Sequence, residues 1–159
     1  MEHVRITDVE RSIQPAEVMH PLTDALGATD LAINYYELAP GESFAFGYHC
    51  HEYQEEVFYI QSGTVTFETE EGDVDVSAGE VIRFPPGEFQ RGINEGDERV
   101  IAIALGAPQK YGDGEVLRDC PECGERTQQR FDRITVDGEE ARITICEECD
   151  TETGRWTRG

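Results

Sequence analysis

Residues 41–63 read GESFAFGYHCHEYQEEVFYIQSG and place two histidines and a carboxylate where one metal ion could bind all three. His49 and His51 are two positions apart, so in a strand their side chains point to the same face. A short bend precedes a second predicted strand, in which either Glu55 or Glu56 could return to the imidazoles. Two histidines and one carboxylate, with coordination positions left open, form the facial triad of non-haem Fe(II) sites. The stretch therefore predicts a divalent metal site, open to Fe, Mn, Ni or Zn.

The same stretch resembles the first motif of the cupin family, in which a glycine is followed by two histidines, a glutamate and a second glycine. Glu56, followed by six residues and Gly63, fits the end of that motif and selects Glu56 over Glu55 as the ligand. The spacing from Gly41 to the histidines is longer than in the family, which predicts a bulge in the strand leading into the site. Residues 79–94, GEVIRFPPGEFQRGIN, resemble the second cupin motif. The resemblance implies a double-stranded β-helix with ligands at its mouth.

Gln90 stands where the second cupin motif has a histidine. The resemblance thus implies a barrel metal site of His49, His51, Glu56 and Gln90, in which the glutamine would bind through its carbonyl oxygen. An amide oxygen is a weaker donor than imidazole and favours harder ions. The alternative is that Gln90 only forms a hydrogen bond inside the barrel and that the site is often empty. The residues predicted to line the open position are Tyr48, Phe58, Phe84 and Phe89.

From residue 31 to residue 105, short segments rich in β-branched and aromatic residues alternate with turns. Turn residues recur at nearly regular spacing and no long helical period is present, which favours a sandwich or barrel. We therefore predict an all-β fold with a double-stranded β-helix (cupin) barrel at 31–105. Residues 1–30 carry few signals of regular structure and are predicted to form an arm lying over the barrel. Residues 106–116, rich in glycine and polar residues, are predicted to be a linker.

The remaining residues, 117–159, contain two CxxC pairs with a hairpin signal, Asp137-Gly138, between them. Four thiolates on two tight turns give Zn²⁺ a closed tetrahedron, which is structural because no position stays open for a substrate. The segment resembles a zinc ribbon, and about 40 residues need such a metal in order to fold. Two disulfides or four free thiols are the alternatives. The predicted zinc ligands are Cys120, Cys123, Cys146 and Cys149.

The chain has 34 acidic and 13 basic residues and a net charge of −21. Acidic residues occur in every segment, a pattern that resembles proteins of salt-in halophiles. The charge repels nucleic acid and anionic membranes at low salt, so neither is the expected partner. The longest apolar run, residues 100–105, is too short to span a bilayer. With no secretory signal we expect a cytoplasmic protein, in which disulfides are disfavoured.

Three functions stay open at this point. The first is a metal-dependent enzyme, since the cupin family includes dioxygenases, decarboxylases, isomerases and lyases. The second is a non-catalytic module that senses a small ligand or a metal and contacts a partner through the ribbon. The third is a scaffold in which cupin sheets pair as a homodimer, as family members commonly do. Two interpretations stay open for a set of basic and aromatic residues in the ribbon: a contact surface for protein or nucleic acid, or a solvated hairpin face. The residues are Arg126, Arg130, Phe131, Arg133 and Trp156.

Overall fold

A computed structural model describes residues 1–158 of the protein. Across these residues the chain forms one short 3₁₀ helix, Ile6–Asp8, and thirteen β-strands, which confirms the predicted all-β class. The strands are β1 (Val18–Pro21), β2 (Ala32–Leu38), β3 (Tyr48–His51), β4 (Glu55–Ser62), β5 (Thr64–Thr69), β6 (Gly72–Ser77), β7 (Val81–Phe84), β8 (Gln90–Ile93), β9 (Val100–Ala107), β10 (Gly114–Cys120), β11 (Glu125–Val136), β12 (Glu139–Cys146) and β13 (Glu152–Thr157). Within the described residues no helix has the length and apolar character needed to cross a membrane.

Two antiparallel sheets enclose the core. The first has five strands in the order β1-β2-β9-β4-β7, and the second has eight in the order β13-β12-β11-β10-β3-β8-β5-β6. Between them four phenylalanines pack with ring centroids 5.0 to 6.2 Å apart. These rings belong to Phe44, Phe58, Phe67 and Phe84, each at most 5% exposed. Burial of this aromatic cluster holds the two sheets face to face.

The arm at residues 1–30 contributes a strand that its sequence does not signal. β1 is buried at Val18, Met19 and His20, and it pairs with β2 at the edge of the five-stranded sheet. Pro21 ends this strand, and proline is tolerated there because an edge strand has a free side that needs no N–H donor. The His20 ring is buried, and its Nδ1 lies 2.6 Å from the Val9 carbonyl oxygen.

The approach to the metal-ligand strand is irregular, as the long spacing after Gly41 predicts. Ser43 forms an isolated bridge with Ile93, and the chain then leaves the sheet until β3 begins at Tyr48. At Gly47 the backbone of the C-terminal segment comes so close that a Cβ would lie 2.5 Å from the Leu117 carbonyl oxygen. Glycine is therefore required here by the close approach of two chains.

The segment predicted as a linker carries part of the sheet. β9 continues to Ala107 and β10 begins at Gly114, where it pairs with β3 in antiparallel register. The Arg118 guanidinium donates to the Phe46 carbonyl and, at 3.1 Å, to the Thr153 carbonyl, which ties the two parts together. We call β10 to β13 the C-terminal sheet. It forms part of the eight-stranded sheet, because β10 pairs with the edge of β3 that would otherwise be free.

Candidate metal centre

The three predicted metal ligands converge where the chain crosses from one sheet to the other. His49 and His51 lie on β3 of the eight-stranded sheet, and Glu56 lies on β4 of the five-stranded sheet. Glu56 Oε2 is 3.5 Å from His49 Nε2 and 3.3 Å from His51 Nε2. One donor atom from each residue lies within 4.8 Å of the others. The alternation along β3 and the short bend after it are sufficient to bring these groups together.

The His49 ring is oriented by the backbone. Its Nδ1 is 3.1 Å from the Gly47 carbonyl oxygen, which can only accept a hydrogen bond, so Nδ1 carries the proton. The lone pair then belongs to Nε2, the atom that faces Glu56. Metal-ligating histidines commonly donate their other ring N–H to a backbone carbonyl in this way, which fixes the tautomer. His49 is thus set to bind a cation through Nε2.

Glu56 is ionised in this setting. Burial by itself raises the pKa of the carboxyl group, but the His49 and His51 imidazoles that face it, which donate and carry a positive charge when protonated, outweigh burial and lower the pKa to about 2. The side chain is only 18% exposed. A buried carboxylate facing two imidazole nitrogens is a suitable donor for a divalent cation.

Gln90 lies beside this carboxylate, directly opposite His49 in the pairing of β3 with β8. Its side-chain nitrogen donates to Glu56 Oε2 at 2.7 Å and is 3.3 Å from His49 Nε2. The residue therefore has the predicted position, but the amide nitrogen faces the other three groups. A half-turn of the amide would exchange nitrogen for the oxygen that a metal requires.

The spacing of the three donors fits a metal ion. Bonds of about 2.1 Å at tetrahedral angles place ligands roughly 3.4 Å apart. The Glu56 separations of 3.3 and 3.5 Å match that value. The donor set suits Fe, Mn, Ni or Zn.

The triad borders a cavity of about 460 Å³. That volume is within the usual range for small-molecule sites, and the wall is mainly apolar. Its apolar side chains include Met19, Tyr36, Phe44, Phe46, Phe58 and Phe131. The metal ligands are thus presented to a space that an organic molecule could occupy.

Residues 34–106 match the model of the cupin domain family. This stretch of the chain is a cupin domain. A sugar phosphate isomerase of the cupin superfamily from Silicibacter pomeroyi is 15% identical to the chain and covers 96% of it and 97% of its own length, with a TM-score of 0.65. That match extends over both the cupin barrel and the C-terminal sheet.

Two further solved structures match the cupin part. A predicted oxalate decarboxylase from Thermotoga maritima is 24% identical, covers 67% of this chain and 98% of its own, and has a TM-score of 0.58. A recombinant oxalate oxidase in complex with glycolate is 17% identical, covers 69% of this chain and 60% of its own, and has a TM-score of 0.54. At these identities the matches show a shared fold alone. No curated protein matches the chain.

Of the four aromatic residues predicted to line the cupin site, the structure brings two to it. Phe58 lines the cavity, and Phe84 borders a narrow cleft beside the triad. Tyr48 and Phe89 lie elsewhere and stack on each other with centroids 5.2 Å apart. Tyr48 directly precedes His49 on β3, so alternation turns its ring to the opposite face, where Arg126 covers it at 4.9 Å.

Most cavity residues lie outside the predicted set, and four of them are polar, charged or aromatic groups from distant parts of the chain or in contact with them. Gln54 is buried, and its amide nitrogen donates to the Pro108 and Gln109 carbonyls at 2.9 and 3.2 Å. The Tyr111 ring lies 5.4 Å from the His51 ring. Phe131 and Arg142 enter from the C-terminal sheet. No local pattern marks these positions, because each reaches the cavity through a contact with a part of the chain distant in sequence.

The four predicted zinc ligands form a second cluster. Cys120 Sγ is 3.5 Å from Cys149 Sγ, and Cys123 Sγ is 3.9 Å from Cys146 Sγ. Zinc–sulfur bonds of about 2.3 Å at tetrahedral angles give sulfur separations of roughly 3.8 Å, whereas a disulfide needs about 2.05 Å. The cluster is therefore compatible with zinc.

The two turns that carry the cysteines have the same geometry. The Gly124 amide donates to the Cys120 carbonyl at 2.9 Å, and the Asp150 amide donates to the Cys146 carbonyl at 3.0 Å. Both residues have a positive φ, 71° and 60°. A hydrogen bond with the Thr127 hydroxyl lowers the pKa of Cys146 to about 6, which favours a thiolate.

The arginines considered as a contact surface are paired within the protein. Arg126 binds Glu68 at 2.7 Å, Arg130 binds Asp150 at 2.8 Å and Arg133 binds Glu140 at 3.0 Å. The Trp156 ring packs edge-on against Phe46 with centroids 4.9 Å apart. These contacts join the arginines to acidic residues of the protein and the tryptophan to the cupin domain.

Proposed function

We propose that the protein is a metal-dependent enzyme that acts on a small organic molecule in the cupin cavity. The observation that carries this proposal is the convergence of His49, His51 and Glu56 at the wall of a cavity of about 460 Å³. Three protein ligands leave coordination positions open toward that space. A bound divalent ion would supply Lewis-acid polarisation of a substrate oxygen or, as iron, a binding position for O₂.

The residues of the cavity wall favour a reaction that is catalysed by the bound ion and not by a side chain acting as general base. Among the described residues that line the cavity, Glu56 is the one acidic side chain, and it is a ligand. Burial raises the pKa of Tyr36 well above its usual range, so that phenol stays neutral. With no second carboxylate among the described residues of this cavity to serve as general base, an oxygenase or a metal-assisted isomerase is the reaction class that we propose. Structural neighbours named sugar phosphate isomerase and oxalate oxidase support isomerisation and the use of O₂, respectively.

Metal content tests the proposal. Full-length protein should hold two ions per chain, zinc in the cysteine cluster and a second ion that His49→Ala removes without unfolding the chain. His3→Ala is the matched control, since His3 is exposed and far in sequence from the triad. Oxygen uptake and product formation are then measured with panels of organic acids and sugars. Protein that binds zinc alone after exposure to Fe(II), Mn(II) and Ni(II) would overturn the proposal.

A second candidate is a sensing module that binds a ligand without turnover. The amide of Gln90, which donates to Glu56 where the cupin motif has an imidazole, favours it. Pairing of β3 with β10 would carry cavity occupancy to the C-terminal sheet. Saturable ligand binding with no product at any metal loading would select this function over catalysis.

For the C-terminal sheet we propose a zinc-ribbon module with a structural zinc ion on its four cysteines. Four ligands close the coordination sphere, so this ion would stabilise the fold and take no part in turnover. The sulfur separations of 3.5 and 3.9 Å support it. We also propose a cytoplasmic, salt-rich setting, where thiols stay reduced and a charge of −21 is screened.

We further propose that the protein pairs as a homodimer through the outer face of its five-stranded sheet. Three large apolar side chains are exposed there on neighbouring strands, Val81 at 61%, Tyr59 at 41% and Leu105 at 36%. An apolar patch on so acidic a protein is suited to a second copy of itself, since a two-fold axis places the same patch on both sides.

A further inference from the structure

The C-terminal sheet contributes one charged side chain to the wall of the cupin cavity. Arg142 on β12 lines the cavity that also contains the triad. Its guanidinium carbon lies 4.7 Å from the Phe46 ring centroid and 5.8 Å from that of Phe131. Two aromatic rings hold the side chain in place without using its hydrogen-bond donors.

Among the described residues, Arg142 lacks the hydrogen-bond and carboxylate partners that a partly buried arginine usually has. Its Nε is buried and has no hydrogen-bond partner among the described residues. The acidic neighbour Glu140 pairs with Arg133 at 3.0 Å instead. In a chain with 34 acidic and 13 basic residues, a partly buried arginine without a carboxylate is unusual. Burial lowers the pKa of Arg142, yet a guanidinium keeps its charge in proteins.

Arg118 provides an internal comparison. Its Nε is also buried and unpartnered, and its guanidinium also lies over a ring, 5.0 Å from the Trp156 centroid. Its terminal nitrogens, however, donate to the Phe46 and Thr153 carbonyls, so Arg118 joins two parts of the chain. Among the described residues Arg142 forms no comparable bridge, and it lines both the cupin cavity and a second pocket that contains Glu10 and Glu140.

We propose that Arg142 binds an anionic group, a carboxylate or a phosphate, of the molecule that occupies the cupin cavity, and that the C-terminal sheet thereby selects the ligand. The planar guanidinium donates two parallel hydrogen bonds to either group. In the apolar cavity such bonds are stronger than in water. This proposal rests on the proposed function in one respect: the other end of the ligand is taken to bind the metal ion at the triad.

The position of Arg142 also indicates the size of the ligand. β12 is three strands from β3 in the eight-stranded sheet, roughly 14 Å at the usual strand spacing. The side chains of Arg142 on β12 and of the histidines on β3 extend into the space between the two strands. A two-carbon acid is nevertheless too short to contact both the guanidinium and the metal ligands. The matching class is an organic anion of several carbon atoms, with oxygen atoms for the metal at one end and the acidic group at the other.

The test uses full-length protein and two probe anions, inorganic phosphate and glutarate, at constant ionic strength. In ¹⁵N-labelled protein, the Nε–H signal of Arg142, assigned by its loss in Arg142→Lys, should shift on addition of one probe or both. By calorimetry Arg142→Met should weaken binding at least about tenfold, while Arg142→Lys weakens it less. Arg155→Met is the matched control, because Arg155 lies on the neighbouring strand β13, is exposed and pairs with Glu152 of the same strand.

The outcomes separate this proposal from the metal proposal. His49→Ala should lose the barrel ion and still bind the probe, so the anion site is measured even if no barrel metal exists. Stronger binding of phosphate assigns a phosphate ester, and stronger binding of glutarate assigns a carboxylic acid. An unmoved Arg142 signal with both probes, or equal affinity in wild-type protein and Arg142→Met, would overturn the proposal.

Discussion

Val116 of the C-terminal sheet lies opposite His49 in the antiparallel register of β10 with β3. The strand that presents both histidines therefore has hydrogen-bonded neighbours on its two sides, β8 and β10. If the cysteine cluster holds its sheet together, the cluster also supports the geometry of the barrel site.

Loss of one cysteine should consequently affect both sites. We expect Cys120→Ser to lose zinc, to remove amide protection from residues 114–158, and to weaken barrel metal binding about tenfold because β3 loses its partner. Hydrogen exchange and metal titration measure the two effects. Glu139→Ser, an exposed change at the hairpin end of the same sheet, is the control. Unchanged barrel affinity after zinc loss would show that the two sites are independent.

Gln90→His should tighten the barrel metal site. The Gln90 nitrogen is already 2.7 Å from Glu56 Oε2 and 3.3 Å from His49 Nε2, so an imidazole there reaches the same ion. A third nitrogen ligand should raise the affinity for Ni(II) or Zn(II) by about tenfold or more, measured by competition with a chelator. Gln90→Leu removes the amide and supplies no ligand, and it serves as the control. A drop in affinity with histidine would place residue 90 outside the coordination sphere.

The ionised state of Glu56 should appear in the pH dependence of stability. In the folded protein its pKa is about 2, below the ordinary value of 4.5. The lowered pKa contributes stability above about pH 4.5, and that contribution declines as the pH falls toward 2. In metal-free protein, the difference in unfolding free energy between wild type and Glu56→Gln should shrink over this range, by on the order of 3 kcal/mol in total. Urea titrations between pH 2 and 7 follow it, and a pH-independent difference would contradict the assignment.

The acidic surface should make stability depend on salt. A net charge of −21 repels itself at low ionic strength, and at 1 M salt the screening length falls to roughly 3 Å. We expect the thermal unfolding midpoint to rise by several degrees between 0.1 and 2 M KCl. Sucrose at matched osmolality controls for excluded volume. A midpoint that stays constant over the KCl series would argue against a salt-rich setting.

The proposed dimer can be tested at the edge of the five-stranded sheet. Val81→Asp places a charge in the exposed apolar patch and should convert a dimer into a monomer of 17.9 kDa in analytical ultracentrifugation. Val74→Asp is a matched control, because Val74 is 42% exposed but lies on the other sheet. Dissociation by both variants, or by neither, would assign the interface elsewhere.

Local patterns were enough to predict the parts of the site that are close in sequence. His49, His51 and Glu56 span eight residues of two strands, and the two-residue period fixes where they point. The hairpin at Asp137-Gly138 is likewise local, and both residues have the positive φ that its turn needs.

Contacts between distant segments could not be predicted in the same way. Pairing of Val116 with His49 depends on which sheet edge is free, and nothing in residues 106–116 encodes that choice. Without this pairing, Arg142 has no predicted relation to the cavity. β1 was missed for another reason: four residues ending in a proline are too few to show a strand period.

Because the eight-stranded sheet is completed by residues 114–157, which are synthesised after the cupin domain, the candidate metal ligands are present on the nascent protein before their cavity has its far wall. Until β10 arrives, β3 presents an unpaired edge, which is a template for misassembly between chains. At that stage the part of the cavity wall that Phe131 and Arg142 form is also missing. Pairing of β10 with β3 protects the edge and adds these residues to the wall, so the direction of synthesis sets the order in which the cavity is completed.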